Sequence, residues 1–205
     1  ASDVYKRQAI GYGAVTTEES YGKAVAIGYN ALATQNASAD SFNVAIGMEA
    51  GKFITTGIHN TIVGGLAGDA LTTGSGNIAI GYEALSTEDE HGTNVAIGKR
   101  ALKTLNAGAD AYNIAIGFDA GTAVTTGTHN VIIGGLAGDA MTTAVHNVAI
   151  GYNALRSATS TLGNVAVGRS ALYYMVDQGD LNTAIGFTSQ QKNTHGDWNT
   201  SLGYA

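Results

Sequence analysis

Residues 147–155 read NVAIGYNAL, and variants of this stretch recur along almost the whole chain. The glycine of the stretch, called here the anchor glycine, recurs every seventeen to nineteen residues. The twelve anchor glycines are Gly11, Gly28, Gly47, Gly64, Gly81, Gly98, Gly117, Gly134, Gly151, Gly168, Gly186 and Gly203. Repetition at a nearly fixed period is typical of folds in which each unit stacks on its neighbours. The spacing therefore predicts one continuous solenoid of about twelve coils.

The sequence within each coil favours strands over helices. Ala and Leu are good helix formers, which makes a helix the competing prediction for segments such as AIGYNAL. A glycine in every copy, the short coil and the lack of a helical apolar stripe argue against it. We therefore predict an all-β fold with two short strands per coil. One precedes the anchor glycine, and the other includes segments such as ITTG at 54–57 and VTTG at 124–127.

The strand before the anchor glycine is apolar on both faces. Its third residue is Ile, Val or Leu in every copy, its first is mostly Val, Ile or Thr, and its middle residue is mostly Ala. Residues two apart in a strand share a face. We predict that the branched residues fill the coil interior and that the alanines face a second layer. Because strands buried on both faces need such a layer, we expect it to be another copy of the chain.

An asparagine stands four residues before the anchor glycine in ten copies. These residues are Asn43, Asn60, Asn77, Asn94, Asn113, Asn130, Asn147, Asn164, Asn182 and Asn199. Identical amide side chains in register can hydrogen-bond to the copies above and below, as in stacked strands. We predict a structural ladder at this corner of the coil.

The composition limits the function classes. The chain has 29 glycines, no proline, no cysteine, 13% charged residues and a formal net charge of −6. Without cysteine there are no disulfides, thiol nucleophiles or zinc-thiolate sites. An acidic chain without clustered cations makes nucleic acid an unexpected partner. No apolar run approaches the ~18 residues of a membrane span, so we expect no membrane insertion by this segment.

The chain divides into two unequal parts. Residues 1–8, ASDVYKRQ, fit no repeat and resemble the translation of a transposon end used in sequencing libraries, so we interpret them as non-native. Residues 9–205 are predicted to form a continuous β-solenoid repeat domain, a fragment of a longer chain. The segments at 57–74 and 127–144 are nearly identical and lie four coils apart, which indicates a duplicated four-coil block.

The repeat at Asn147–Leu155 and its relatives resembles the YadA-like head repeats of trimeric autotransporter adhesins. It is also similar to the repeat shafts of phage tail fibres, and coils of this length with AIGYxAL are closer to the phage proteins. The resemblance implies a left-handed parallel β-roll with three chains around one axis. It implies a structural and adhesive fibre segment that mediates attachment to a cell surface.

The expected partners are two further copies, forming a homotrimer, and a cell-surface glycan or protein receptor. The expected location is extracellular, on a virion tail fibre or a bacterial cell surface. The head domain of a bacterial trimeric adhesin is the alternative function, and a glycan-degrading tailspike is a third. We predict no enzymatic activity, no catalytic residues and no cofactor.

Few residues qualify as functional candidates. Tyr173, Tyr174 and Met175 lie near an inserted loop and are predicted to be exposed receptor contacts, because solenoid inserts bulge outward. Aromatic and cationic residues directly after the anchor glycines either pack between chains or stack on sugars. A tailspike would need two carboxyl groups about 5–9.5 Å apart, and the candidates for such a pair are Glu49, Asp69, Glu83, Asp119 and Asp139.

Histidines are the candidates for a metal site. His59, His129 and His146 precede the asparagine column, and two of them fall on adjacent coils. None has a carboxylate beside it in the sequence, so we predict no metal site. The GGLAGD segments at 64–69 and 134–139 match only part of a calcium-binding nonapeptide and are interpreted as turns.

Overall fold

The structure, a computed structural model, describes residues 8–17, 23–176 and 179–204. Within these residues, twelve strands lie in chain order in a single parallel sheet. They are β1 (Gln8–Ile10), β2 (Val25–Ile27), β3 (Val44–Ile46), β4 (Thr61–Val63), β5 (Ile78–Ile80), β6 (Val95–Ile97), β7 (Ile114–Ile116), β8 (Val131–Ile133), β9 (Val148–Ile150), β10 (Val165–Val167), β11 (Thr183–Ile185) and β12 (Thr200–Leu202). The predicted all-β solenoid is confirmed.

Neighbouring strands pair in the register of the repeat. Each middle residue lies opposite the middle residue of the next strand, as for Ala96 and Ala115 in β6 and β7. Parallel strands about 4.8 Å apart give a distance of about 53 Å between the first and last strand. Within the described residues no helix is long and apolar enough to cross a membrane.

The interpretation of residues 1–8 as non-native falls almost entirely on residues 1–7, which lie outside the described residues. Gln8 is the first residue of β1 and pairs with Val25. The left-handed sense of the roll and the association of three chains stay predictions.

The two faces of the strand are opposite to our expectation. The middle residues, such as Ala96 and Ala115, are completely buried inside the coil, whereas the flanking branched residues are half-exposed or exposed. The interior is narrow, and alanines three residues after the anchor glycines already line it. It therefore admits a methyl group from each strand but not two branched side chains, and the larger residues point outward.

Large and small residues compensate along the core. Where the middle strand residue is Ile132 instead of Ala, glycines stand at 121 and 138, four residues after their anchors. A Cβ added at Gly121 would lie 2.9 Å from Cδ1 of Ile132. Since interiors are close-packed, the glycines make the space that the larger side chain fills.

The prediction of a second strand per coil is wrong. Among the described residues, the isolated bridge between Val145 and Leu162 is the only strand pairing outside the twelve strands. The second segment is still held to its neighbours by single backbone bonds, such as that from Thr55 N–H to Thr72 O at 2.8 Å. Residues with positive φ, such as His59 at 60° and Glu49 at 57°, turn the chain too often for a second regular ladder.

The anchor glycines are required by the stacking. Gly98 has a φ of 130°, and a Cβ added there would lie 2.6 Å from the carbonyl carbon of Gly117, the next anchor. Both the backbone conformation and the contact between coils exclude a side chain at this position.

Candidate functional site

The asparagine column is a continuous ladder that is buried from Asn43 to Asn182 and exposed at Asn199. The side-chain oxygen of each asparagine accepts a hydrogen bond from the backbone N–H of the next asparagine, as from Asn130 to Asn113 at 2.9 Å. Nine such bonds of 2.7 to 3.1 Å connect Asn43 to Asn199 without a gap. The ladder therefore fixes each asparagine side chain to the backbone of the next coil, and not only to another side chain.

The other end of each amide holds the return turn of the coil. Nδ2 of Asn113 donates to the carbonyl oxygen of Gly127 at 2.8 Å, and Nδ2 of Asn130 donates to that of Ala144 at 2.8 Å. Buried polar groups are costly unless they are hydrogen-bonded. Each amide therefore uses both its oxygen and its N–H group, and the column holds the return turn of each coil against the strand.

The outward side of the sheet is a candidate interaction surface that runs along the sheet. We call it the outward strand face: the first and third residues of β2 to β11, of which nearly all are Val or Ile. Ile46 and Ile114 are each 37% exposed and Ile185 is 38% exposed. A strip of branched aliphatics this long is unusual on a monomeric surface.

Aromatic and cationic side chains follow the outward strand face along the rod. Phe118 comes directly after an anchor glycine, and the charged groups of Lys99 and Arg100 lie 5.9 and 5.6 Å from its ring centroid. Arg169 lies 6.0 Å from the ring of Tyr152 and 5.4 Å from that of Phe187. Cations within about 6 Å of a ring attract it. This column forms a polar and aromatic rim beside the apolar strip.

The three predicted receptor contacts have different environments. Tyr174 is 49% exposed, and its ring packs edge-on against that of Tyr173 at 4.5 Å between centroids. Tyr173 is half-buried, and its hydroxyl accepts a hydrogen bond from Nη1 of Arg156 at 3.2 Å. Met175 is completely buried in the hydrophobic core, so its predicted exposure is wrong. It stands at the coil position that Ile54 and Leu71 occupy elsewhere.

Four of the five candidate carboxylates lie in ion pairs with neighbouring cations. Glu49 pairs with Lys52 at 3.1 Å, Glu83 with Lys103 at 2.6 Å, Asp119 with Arg100 at 2.5 Å and Asp139 with Arg156 at 3.2 Å. The hydrogen bond from Lys103 lowers the pKa of Glu83.

Asp69, the fifth candidate, is different. Its Oδ1 is buried without a hydrogen-bond partner among the described residues. Burial, followed by the charges of Glu49 and Glu83, raises its pKa.

The three histidines before the asparagine column belong to two separate stacks of exposed rings. His59 stacks on Phe42 with ring centroids 5.5 Å apart. His129 lies between Tyr112 at 5.3 Å and His146 at 4.9 Å. In the described part of the chain, none of these histidines joins a group of three side chains placed to hold a metal ion.

Glu88 is a buried carboxylate that sequence reasoning missed. It lies seven residues after its anchor glycine, where other coils carry the core residues Leu71, Leu105 and Met141. Its exposure is 0%, and burial raises its pKa despite the backbone N–H groups of His91 and Ala107 that point toward it. Aligning the coils by this position would have revealed an acidic residue in a mainly apolar column.

No protein-family model, curated protein or solved structure matches this chain.

Proposed function

We propose that the chain is a structural and adhesive segment of a trimeric fibre, in a phage tail fibre or a similar appendage, that mediates attachment to a cell surface. It acts outside the cell, and it is not an enzyme. The outward strand face supports this proposal most directly, because a solenoid that worked alone would gain from polar residues there.

A second copy of the chain is the partner that best fits the outward strand face. Its own branched residues repeat with the same spacing of about 4.8 Å, so ridges and grooves match over the whole length. Burying the exposed part of one Ile or Val contributes about 1 kcal/mol, and the gain accumulates along the rod. Three chains around an axis follow from the resemblance to trimeric fibre repeats.

The flanking column fits the rim of such an interface. Interfaces typically have an apolar centre and a polar rim, and they are richer in aromatic residues and Arg than the rest of the surface. Phe118, Tyr152 and Arg169 lie beside the apolar strip in this way. Tyr174 and Tyr173 are left for receptor contact, because they lie in a different part of the coil, and exposed aromatic rings stack readily on sugars.

The mass of the purified chain in solution tests the proposal. One chain has a mass of 20.8 kDa. Light scattering coupled to size exclusion is expected to give three times that mass. Ile97→Lys would place one charge per chain in the apolar strip and is expected to reduce the mass to that of one chain. Thr126→Lys, at an exposed position away from the strip, is the matched control.

A well-folded wild-type monomer would contradict the fibre proposal while leaving the solenoid unaffected. So would an Ile97→Lys variant that keeps the trimer mass and its thermal stability. Circular dichroism of each variant separates loss of association from loss of folding.

Receptor contact has its own test. Tyr174→Ala is expected to reduce binding of the labelled protein to an array of bacterial surface glycans at least tenfold. Tyr112→Ala removes an equally exposed ring elsewhere and is expected to leave binding unchanged. Equal binding by both variants would remove Tyr174 from the contact. Incubation with the bound polysaccharide, followed by chromatography, is expected to show no shortened chains.

A further inference from the structure

A carboxylate inside the hydrophobic core marks the turn at residues 88–91. Glu88 occupies the core position between Leu71 of the preceding coil and Leu105 of the following one, both completely buried. In the second four-coil block the corresponding residue is Ala158, which is also buried. The fold therefore does not need an acid here, and its presence requires another reason.

The carboxylate of Glu88 is only half satisfied. Oε1 accepts a hydrogen bond from the backbone N–H of His91 at 3.3 Å. Oε2 is buried and has no hydrogen-bond partner within the described part of the chain, because the backbone N–H of Ala107 points toward the carboxylate without forming a hydrogen bond to it. An unsatisfied buried polar atom is costly, and in a native protein it calls for an explanation such as an ion.

The imidazole of His91 is the second unsatisfied group. Its Nδ1 lies 3.6 Å from Oε1 of Glu88, which is too far for a hydrogen bond, and it is buried without a partner among the described residues. Asp89 completes the group: one ligand atom from each of the three residues lies within 4.8 Å of the others. Asp89 and His91 are half-buried, so the group is accessible from solvent.

Neighbouring coils hold the backbone of this turn in place. The backbone N–H and hydroxyl of Thr72 donate to the carbonyl oxygen of Asp89 at 2.6 and 2.9 Å. Nδ2 of Asn77, a member of the asparagine ladder, donates to the carbonyl oxygen of His91 at 3.1 Å. Three side chains are thus presented from a backbone fixed at both ends, as a preorganised site requires.

We infer that Glu88, Asp89 and His91 form a binding site for one divalent transition-metal cation of the Zn²⁺ type. Two carboxylate oxygens and one imidazole nitrogen suit such a cation, and water would take the remaining position. In a tetrahedral site with metal–ligand bonds of about 2.1 Å, the ligand atoms lie about 3.4 Å apart. Because the three ligand atoms already lie within 4.8 Å of one another, metal binding would draw them together by at most about 1.4 Å.

The site differs from the histidine candidates that the sequence analysis considered for a metal site and rejected. His59, His129 and His146 stack on rings, whereas His91 lies beside two carboxylates, one of them in the core. A bound cation would neutralise the buried carboxylate of Glu88. It would also connect this core residue to the surface turn that carries Asp89 and His91. The site lies within a single chain, so it does not depend on trimerisation.

Calorimetric titration with ZnCl2 tests the inference on the full chain, purified without a histidine tag and freed of metal with a chelator. One Zn²⁺ per chain is expected to bind. His91→Ala and Asp89→Asn are expected to weaken binding at least tenfold, and both change half-buried side chains whose backbone bonds remain. Glu90→Gln alters the exposed acidic neighbour and is the matched control, with unchanged affinity expected.

The Glu88→Ala variant and the absorption spectrum of bound Co²⁺ test the assignment of the ligands further. Glu88→Ala, which has its precedent in Ala158, is expected to abolish binding and to keep the solenoid. Should that variant fail to fold, Asp89→Asn and His91→Ala carry the test. The absorption spectrum of bound Co²⁺ is expected to lose its visible bands in both.

Absence of saturable Zn²⁺ binding by the wild-type chain would overturn the inference. Equal affinity in His91→Ala would do so too. Binding that disappears only in His129→Ala would locate the metal at the stacked histidines instead, which contradicts the assignment to Glu88.

Discussion

Replacing one anchor glycine by alanine should damage the stacking of coils far more than an ordinary glycine substitution does. In Gly98→Ala the new Cβ would lie 2.6 Å from the carbonyl carbon of Gly117 and closer still to its carbonyl oxygen. Both are backbone atoms, so neither can rotate away. An ordinary contact is about 1 Å longer, and the two coils must separate by about that much.

The separation acts on the bonds between β6 and β7. The N–H of Gly117 donates to the carbonyl oxygen of Ile97 at 2.7 Å, next to the clash. Backbone strain at this positive φ costs about 1–3 kcal/mol, and one or two weakened hydrogen bonds add about 1 kcal/mol each. The free energy of unfolding is expected to fall by about 2–5 kcal/mol in total.

Gly76→Ala is the matched control for Gly98→Ala. Gly76 also has a positive φ, 71°, but a Cβ added there meets nothing within 4 Å. Its cost is therefore backbone strain alone, about 1–2 kcal/mol. Urea unfolding followed by far-ultraviolet circular dichroism, at equal chain concentrations, measures both. Equal destabilisation of the two variants would refute the close approach of successive anchors.

Three further changes test the ladder, the core and one carboxyl group. Asn113→Ala should lower the free energy of unfolding by about 2–4 kcal/mol, because it leaves two buried backbone groups unpaired; in urea unfolding, exposed Asn36→Ala should cost under about 0.5 kcal/mol. Ile132→Ala should cost about 2–5 kcal/mol in the same assay, since the glycines around it leave a cavity; a loss under about 1 kcal/mol would contradict the packing. Asp69→Asn should raise the melting temperature at neutral pH, because the raised pKa of Asp69 means that its charge destabilises the folded state. That gain should vanish as the pH falls through the raised pKa toward the unfolded value near 3.8, and a gain independent of pH would contradict the assignment.

The parts of the fold that could be predicted are those that depend on the period alone. An anchor glycine that returns once per coil predicts coils stacked in one parallel sheet, and the strands pair in that register. The asparagines could be placed at one corner because their spacing equals the period. Any residue that recurs once per coil lies directly above the equivalent residue of the coil below.

The orientation of each strand could not be read from its residue types. Ala96 and its branched neighbours are all apolar, so a two-residue alternation of apolar with apolar residues does not identify the inner face. The width of the interior decides which strand residues point inward, and that width depends on residues elsewhere in the coil, such as Ala101 and Leu102. In a narrow coil the smaller side chain belongs inside.

Met175 and Glu88 are two buried residues whose burial could not be predicted from the sequence, each for a different reason. Both stand seven residues after an anchor glycine, at a core position. The longer loop after Met175 favours a surface position for it, and an acidic residue such as Glu88 is rarely buried, yet both side chains lie in the core. Position in the coil, not residue type or loop length, determines burial in this architecture.

The distance between equivalent positions on successive coils tests the stacking most directly. The chain has no cysteine, so spin labels can be attached at Thr56→Cys and Thr126→Cys, exposed positions four coils apart, and at Thr56→Cys and Thr143→Cys, five coils apart. Labelled chains diluted with unlabelled ones isolate the distance within one chain. Pulsed electron resonance is expected to give separations of about 19 Å and about 24 Å, a step of about 5 Å per coil. Equal separations, or a step of a different size, would contradict one strand rung per coil.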